Sequence, residues 1–261
     1  MELTEHARFN RAEWEKAAPE YEESGRRAWA GEKPPSWGIW GVPESEVRAL
    51  PPDVAGKDVI ELGCGTAYWS AWLARMGARP VGIDITDAQL ANARKFMAEY
   101  GPQFPLVQAS AEDVPCPDAS FDVAFSEYGA SIWCDPRLWI AEAARLLRPG
   151  GVLQFLRGST LRILCVPDDD GPATDRLLRP QRGLYRLDWD DGDDAGTEFH
   201  PPTGEMLEIL HENGFELLDL RELYAPDDAV DHEYYSVPSA EWARQWPAEE
   251  IWRARLQPRS S

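Results

Sequence analysis

The sequence predicts an α/β fold, a seven-stranded, mostly parallel sheet with helices on both faces. Three observations carry the prediction. Short apolar runs alternate with helix-period stretches throughout residues 58–156, the mark of strand–helix–strand units. The first run ends at a tight turn, Gly63-Cys-Gly65, that leads straight into a helix. Two more strand patterns stand at 215–223 and 249–256.

Taken in order, residues 1–50 read as two short helical stretches and a Pro/Gly/Trp-rich loop, KPPSWGIWGVPE, together an N-terminal helical cap. Asp58-Val-Ile-Glu-Leu62 is a buried strand. From Thr66 a helix follows, with Trp69, Trp72, Leu73 and Met76 on one face, and Gly77 stops it. Residues 79–84 form the second strand. Thr86 and Gln89 have the spacing of a capping box for the helix bearing Leu90, Ala93, Met97 and Tyr100. Strands are expected at 105–109 and 121–126, a helix at 137–147, a Pro149-Gly150-Gly151 stop, and a fifth strand at 152–156. Residues 167–176 and 188–197, rich in Asp, Gly and Pro, are expected as surface loops, with a hairpin inserted between the fifth strand and the helix at 203–213. The organisation expected is one domain over 1–261: cap 1–50, ligand-binding core 51–157, insertion 158–202, and the rest of the sheet at 203–261.

Composition narrows the function. No apolar run approaches the roughly 20 residues that cross a bilayer. The polar start, MELTEHARFNRAEWEK, does not read as a signal peptide, so a cytoplasmic location is expected. A net charge of −20 over 261 residues repels phosphate backbones and anionic membranes, which argues against nucleic-acid and membrane partners. Cys64, Cys116, Cys134 and Cys165 form no ligand-like pattern with the four histidines, so no metal is expected and free thiols are the simplest account.

The chemistry concentrates at Val59-Ile-Glu-Leu-Gly-Cys-Gly-Thr-Ala67. A strand running into a helix through G-x-G leaves backbone against which a ligand can lie. Asp84 ends the second strand, where a carboxylate can accept two hydrogen bonds from a ribose diol. Both features also occur in NAD-binding folds. Tyr68 stands where a dinucleotide site wants its third glycine, and Glu61 repels a diphosphate but favours a sulfonium ligand bearing an ammonium group.

These residues resemble class I S-adenosylmethionine-dependent methyltransferases, and the small-molecule enzymes of the ubiquinone/menaquinone-biosynthesis group (methyltransferase type 11) in particular. VIELGCGTAYWS is similar to the first motif, GIDIT to the acidic second, ASAEDVP with PDASFD to the stretch over the adenine, and LLRPGG to the turn before the fifth strand. The resemblance implies a Rossmann-like fold with S-adenosylmethionine as cofactor. It implies that Glu61, Gly63 and Gly65, with Cys64 between them, line the methionine end. Asp84 takes the ribose hydroxyls, Ile85 packs on the adenine, Ala111 and Glu112 lie at its edge, and Ser126 faces the methyl donor. Two departures stand out. Ala67 occupies the usual third glycine, and Ser110 stands where the family often has Asp near the adenine amino group.

The activity implied is in-line methyl transfer to a small-molecule acceptor, by a monomer or homodimer. Holding the partners in line supplies much of such a rate enhancement, so no obvious base is required. Glu127, Tyr128 and His200 are weak candidates for a catalytic role, and a loop or core histidine is the favoured reading of His200. Tyr21, Trp37 and Trp40 belong either to a cap closing over cofactor and acceptor or to simple core packing of that cap. A non-catalytic cofactor-binding regulator and, further behind, an NAD(P)-dependent oxidoreductase are the alternatives.

Overall fold

Thr4 opens α1 (Glu5–Ala17), its hydroxyl accepting the Ala7 amide. A 3-10 turn with Pro19 in its first positions leads into α2 (Glu22–Trp29). A two-stranded ribbon, β1 (Ser36–Trp37) with β2 (Val42–Pro43), and the single turn α3 (Glu44–Val47) complete the N-terminal cap. The computed structural model describes residues 3–168, 171–189, 195–231 and 238–258.

The alternating region then folds as its pattern requires: β3 (Asp58–Leu62), α4 (Tyr68–Arg75), β4 (Arg79–Asp84), α5 (Asp87–Tyr100), β5 (Leu106–Gln108), β6 (Phe121–Glu127), α6 (Gly129–Trp133), α7 (Pro136–Leu146) and β7 (Leu147–Gly158). After β7 come α8 (Thr160–Cys165) and the inserted hairpin of β8 (Arg186–Trp189) and β9 (Gly196–Phe199). The chain closes with α9 (Thr203–Glu212), β10 (Phe215–Leu223), α10 (Ala240–Gln245) and β11 (Glu249–Leu256).

Seven strands form the main sheet in the order β10-β11-β7-β6-β3-β4-β5. β3 to β7 run parallel, and β11 lies antiparallel between β7 and β10. The order turns between β3 and β6, so the loops leaving those strands diverge and open the sheet's ligand crevice. Core packs on both faces. Ile60, Leu62, Leu153 and Phe155 join Trp139 and Trp252 on one side, and Val59, Val123, Phe125 and Leu156 join Trp37 and Trp69 on the other. Trp69 and Trp72 are core, as their helical spacing predicts.

Three local expectations change. Thr86 stands at the N-cap of α5, but its side chain makes no capping bond, so no capping box forms there. The Asp87 and Ala88 amides donate instead to the Glu15 carboxylate on α1, at 2.9 and 3.1 Å. β7 begins at Leu147, because pairing with β6 already starts there and the Pro-Gly-Gly turn is taken within the strand. Parts of both expected loops, 169–170 and 190–194, lie outside the described residues. Among the described residues no helix is long and apolar enough to cross a membrane.

Candidate cofactor and acceptor site

The loop from β3 to α4 has three left-handed residues, Gly63 at φ 74°, Gly65 at φ 51° and Ala67 at φ 56°. A left-handed conformation suits glycine, so Ala67 holds the third position at a modest cost. The glycines do different work. A Cβ on Gly63 would lie 2.7 Å from the Ala130 nitrogen and the Gly129 Cα, and one on Gly129 would lie 2.2 Å from the Gly63 carbonyl. The loops after β3 and β6 therefore touch backbone to backbone, and only glycines permit it. A Cβ on Gly65 would meet nothing within 4 Å. That space is where the loop faces outward.

Asp84 binds this loop to the end of β4. Its Oδ2 accepts the Gly65 amide at 2.7 Å and its Oδ1 the Thr86 amide at 2.8 Å. Burial raises its pKa, and these two amides pull the other way. The Thr86 side chain bonds the carboxylate as well, and acceptor capacity remains for a further donor. Ile85, half-buried, follows directly.

Several other residues expected at the cofactor are engaged elsewhere. Glu61 is buried, and its Oε2 accepts both the amide (2.9 Å) and the hydroxyl of Ser70 inside α4. Burial drives its pKa up to about 8. Cys64 turns its thiol into the core beside Trp29 and Leu90, leaving only its backbone on the loop. Ser126 is fully buried, donates to the Leu62 carbonyl at 2.8 Å and accepts the Ser131 amide at 3.3 Å. It joins β3 to α6 instead of facing the crevice. The Ser110 hydroxyl accepts the Glu112 amide at 3.2 Å, and Ala111 is core. Glu112 is held by the cap, with His6 Nε2 2.6 Å from Oε1, the Thr4 hydroxyl 3.1 Å from Oε2, and the Asp135 amide donating at 2.8 Å.

The cap does close over this end of the sheet, although not through the three aromatic residues singled out in the sequence. Trp37 is fully buried, with ring centroids 4.5 Å from Trp69 and 5.4 Å from Phe125, and its indole N–H donates to Glu44. It is core. Trp40 is half-buried among Cys165, Ala173 and Trp242. Tyr21 packs on Trp14, which in turn meets Trp133 edge to face at 5.1 Å. The stitching residue is Asn10 on α1, whose amide nitrogen donates to the Trp133 and Thr197 carbonyls while its oxygen accepts the Thr197 amide at 2.7 Å. His6, Asn10 and Glu15 are polar residues on a polar helix, so no pattern in the sequence marks them.

At the end of β6, Glu127 accepts the Tyr68 hydroxyl and the Gly38 amide, the latter at 3.0 Å. Burial pushes its pKa up to about 7. Tyr128 adopts φ 58°, ψ −56°, a strained conformation of the sort that gathers at functional sites. Its hydroxyl donates to Glu249, which also accepts the Ile39 amide at 2.9 Å. Two carboxylates thus hold the β1–β2 turn down on the sheet. Glu249 was not legible as a site residue, since it reads only as the first residue of a strand. His200 is 2% exposed and sits 2.7 Å from Glu198, and burial holds its pKa below the usual value despite that partner. Among the described residues no group of three His, Cys, Asp or Glu is placed to hold a metal ion.

Comparison with known proteins bears on the same stretch. Residues 60–155 match the family model described as a methyltransferase domain. A demethylmenaquinone methyltransferase of Clavibacter sepedonicus is 34% identical over 122 residues, covering 47% of this chain and 48% of that protein. A ubiquinone biosynthesis O-methyltransferase of Aromatoleum aromaticum is 35% identical over 103 residues, 39% of this chain and 44% of that protein. The chain spans less than half the length of these curated relatives. The solved structure of an S-adenosylmethionine dependent methyltransferase of Mesorhizobium loti superposes with a TM-score of 0.66 at 25% identity, over 84% of this chain and 100% of that one.

Proposed function

We propose that this chain, whose residues 60–155 match a methyltransferase-domain model, is a class I S-adenosylmethionine-dependent enzyme that transfers a methyl group to a small-molecule acceptor. The observation that carries the proposal is the Gly65–Asp84 corner. A buried carboxylate with lone pairs to spare stands beside a glycine whose Cβ position is open, on the β4 side of the point where the strand order turns. A nucleoside fits there, its ribose hydroxyls donating to Asp84, its base toward Ile85 and the turn at Ser110–Glu112. Tyr68, standing where a dinucleotide site wants its third glycine, fits a diphosphate poorly.

When bound, the cofactor supplies an activated methyl on a sulfonium. The chain's own part is to position and to exclude water. The Gly63–Gly129 contact and the cap over Glu112 enclose one side. Tyr128 and Glu127 lie at the end of β6, where an acceptor approaches. An acceptor that must lose a proton finds its best recipient in Glu127, half-buried and poised near pH 7. The net charge of −20 leaves nucleic acid an unsuitable acceptor.

Calorimetric titration with S-adenosylmethionine, S-adenosylhomocysteine and NAD(P)H tests this reading, with Asp84→Ala as control. Micromolar binding of the first two, lost in the variant, supports it. Binding of NAD(P)H instead overturns it. Binding without turnover across a broad acceptor panel points to the regulatory alternative.

A further inference from the structure

Two carboxylates meet under one glycine of the β1–β2 turn. Glu127 Oε1 accepts the Gly38 amide at 3.0 Å, and a Cβ added to Gly38 would run into the Glu249 carboxyl. Glu249 Oε1 accepts the next amide, that of Ile39, at 2.9 Å. Both side chains stand on one face of the sheet. Glu127 follows Val123 and Phe125 in strand alternation, Glu249 precedes Ile251, and those three apolar residues pack in the layer that holds Trp37. Tyr68 and Tyr128 of the same layer donate their hydroxyls to Glu127 and Glu249.

These hydrogen-bond partners, two amides and two phenols, are all neutral. Glu249 is 0% exposed, and its Oε2 has no hydrogen-bond partner among the described residues. Glu61 on β3, in register with Phe125, adds a third buried acid to the same face. Arg162 lies beyond Tyr128, its Nη1 3.4 Å from that hydroxyl, and offsets Glu249 in part. Carboxylates held out of water with no cation upon them are costly. Glu127 is reached from the crevice. It is partly exposed together with Tyr128 and Gly129, and so are Gly63, Gly65 and Tyr68 of the facing loop, which Gly129 touches backbone to backbone.

We infer that the Glu127–Glu249 pair selects a methyl acceptor that carries an amine, held as its ammonium on Glu127, with Glu249 as the positioning residue behind it. The inference rests on the methyl-transfer reading and names the acceptor's chemical class. An ammonium brings three donors and the positive charge that this place lacks. A phenolate, carboxylate or phosphate acceptor would add negative charge beside three acids. A neutral alcohol would leave their charge unmet. The ammonium gives one proton to the Glu127 carboxylate. The freed nitrogen lone pair forms the new N–C bond as the methyl leaves sulfur, which keeps the electrons of the broken S–C bond. Glu127, raised by burial to about 7, can take that proton and release it to water between turnovers.

The test is calorimetric titration of benzylamine and hexylamine against benzyl alcohol and hexanol, and of benzoate, each with and without S-adenosylhomocysteine. It is run on the wild type, Glu127→Gln and Glu249→Gln, with thermal unfolding alongside. The amines are expected to bind the wild type roughly tenfold or more tightly than the alcohols, the range of hydrogen bonds to charged groups. Glu127→Gln is expected to abolish that preference and to leave alcohol binding unchanged. General attraction of amines to an acidic surface would survive this substitution, so the variant separates the two. Glu249→Gln still accepts from Ile39 and Tyr128 but loses the second charge, so the preference is expected to shrink several-fold and persist. Should Glu127→Gln not fold, Glu249→Gln carries the test. Equal binding of amines and alcohols, no binding of either, an unchanged preference in either variant, or benzoate binding as tightly as benzylamine overturns the inference. If S-adenosylhomocysteine binds while no amine is preferred, this inference alone falls. If amines are preferred and S-adenosylhomocysteine does not bind, the methyl-transfer reading falls and the amine subsite remains.

Discussion

Asp84 and Gly65 lie 19 positions apart and meet through a 2.7 Å hydrogen bond from the glycine amide to the carboxylate. That bond fixes the turn after β3 against the end of β4, and it gives the two loop glycines different consequences when replaced. Gly65→Ala adds a Cβ into open space at φ 51°, a strain of about 1–2 kcal/mol. It is expected to fold, to melt a few degrees lower, and to lose S-adenosylhomocysteine affinity at least tenfold, because the methyl fills space the ligand needs. Gly63→Ala drives a methyl into the backbone of Gly129 and Ala130, and neither can move without parting β3 from α6. It is expected not to yield soluble folded protein. Circular dichroism and calorimetry on the two variants check the contrast.

Two buried acids each contribute a pH dependence of definite sign. Glu127 titrates near 7 and Glu61 near 8 in the folded chain, both raised by burial from an ordinary 4.5. For a raised carboxyl, the unfolded chain ionises first. The stability contribution is therefore whole below the unfolded pKa and is lost as pH rises toward the folded one. Between pH 5 and 7 both groups erode stability, each by up to about 1.4 kcal/mol per pH unit. Of these two, Glu61 alone continues between 7 and 8. The melting temperature is expected to fall from pH 5 to 8, with the steeper part below 7. Glu127→Gln, which still accepts from Tyr68 or Gly38, is expected to flatten the slope below pH 7 and leave the rest. A wild-type melting temperature that rises across this range would contradict the assignment.

Trp37 ends β1 and Trp40 lies in the turn that follows it, and the two differ in fate. Trp37 is enclosed by Trp69 and Phe125, so Trp37→Ala is expected to cost about 3–5 kcal/mol, the range for a large aromatic removed from a core. S-adenosylhomocysteine affinity of the folded fraction should hardly change. Trp40 is half-buried, its indole nitrogen has no partner among the described residues, and it directly follows Ile39, whose amide binds Glu249. Trp40→Ala is expected to cost much less stability and to weaken acceptor binding. Urea unfolding with parallel cofactor and acceptor titrations separates the two.

The sheet was legible because its strands are short apolar runs bounded by glycines. The expected bounds 58–62, 215–223 and 249–256 are those of β3, β10 and β11. Asp84 and the two glycines were legible for the same reason: their roles follow from position at a strand end. What escaped was every contact made by a side chain reaching across the chain. Ser126 sits at the expected strand end, yet the Leu62 carbonyl takes its hydroxyl proton. Glu112 lies in the expected turn, yet α1 supplies its partners from more than 100 positions away. Arg157 is one arginine among many in the sequence, and only its place in a strand covered on both faces makes it a buried charge paired with Glu250.

The start of α5 shows the same limit and gives a clean test. Thr86 and Gln89 have capping-box spacing, but Gln89 is buried and the Thr86 side chain does not cap. Glu15 on α1 takes the first two helix amides instead, one with each carboxylate oxygen. A carboxylate at a helix N-terminus also meets the positive end of the helix dipole. Glu15→Ala should therefore behave like loss of an N-cap, costing about 1 kcal/mol and lowering the melting temperature by about 2–4 °C for a chain of this size. Glu15→Gln keeps one acceptor oxygen and should cost about half as much. Because the freed amides directly follow Thr86, whose own amide donates to Asp84, fraying there loosens the carboxylate proposed to hold the ribose. Glu15→Ala should thus weaken S-adenosylhomocysteine binding although the residue makes no contact with that corner. Unchanged stability in Glu15→Ala would mean that water caps α5 as well as α1 does, and that the cap helix is held by Asn10 and His6 alone.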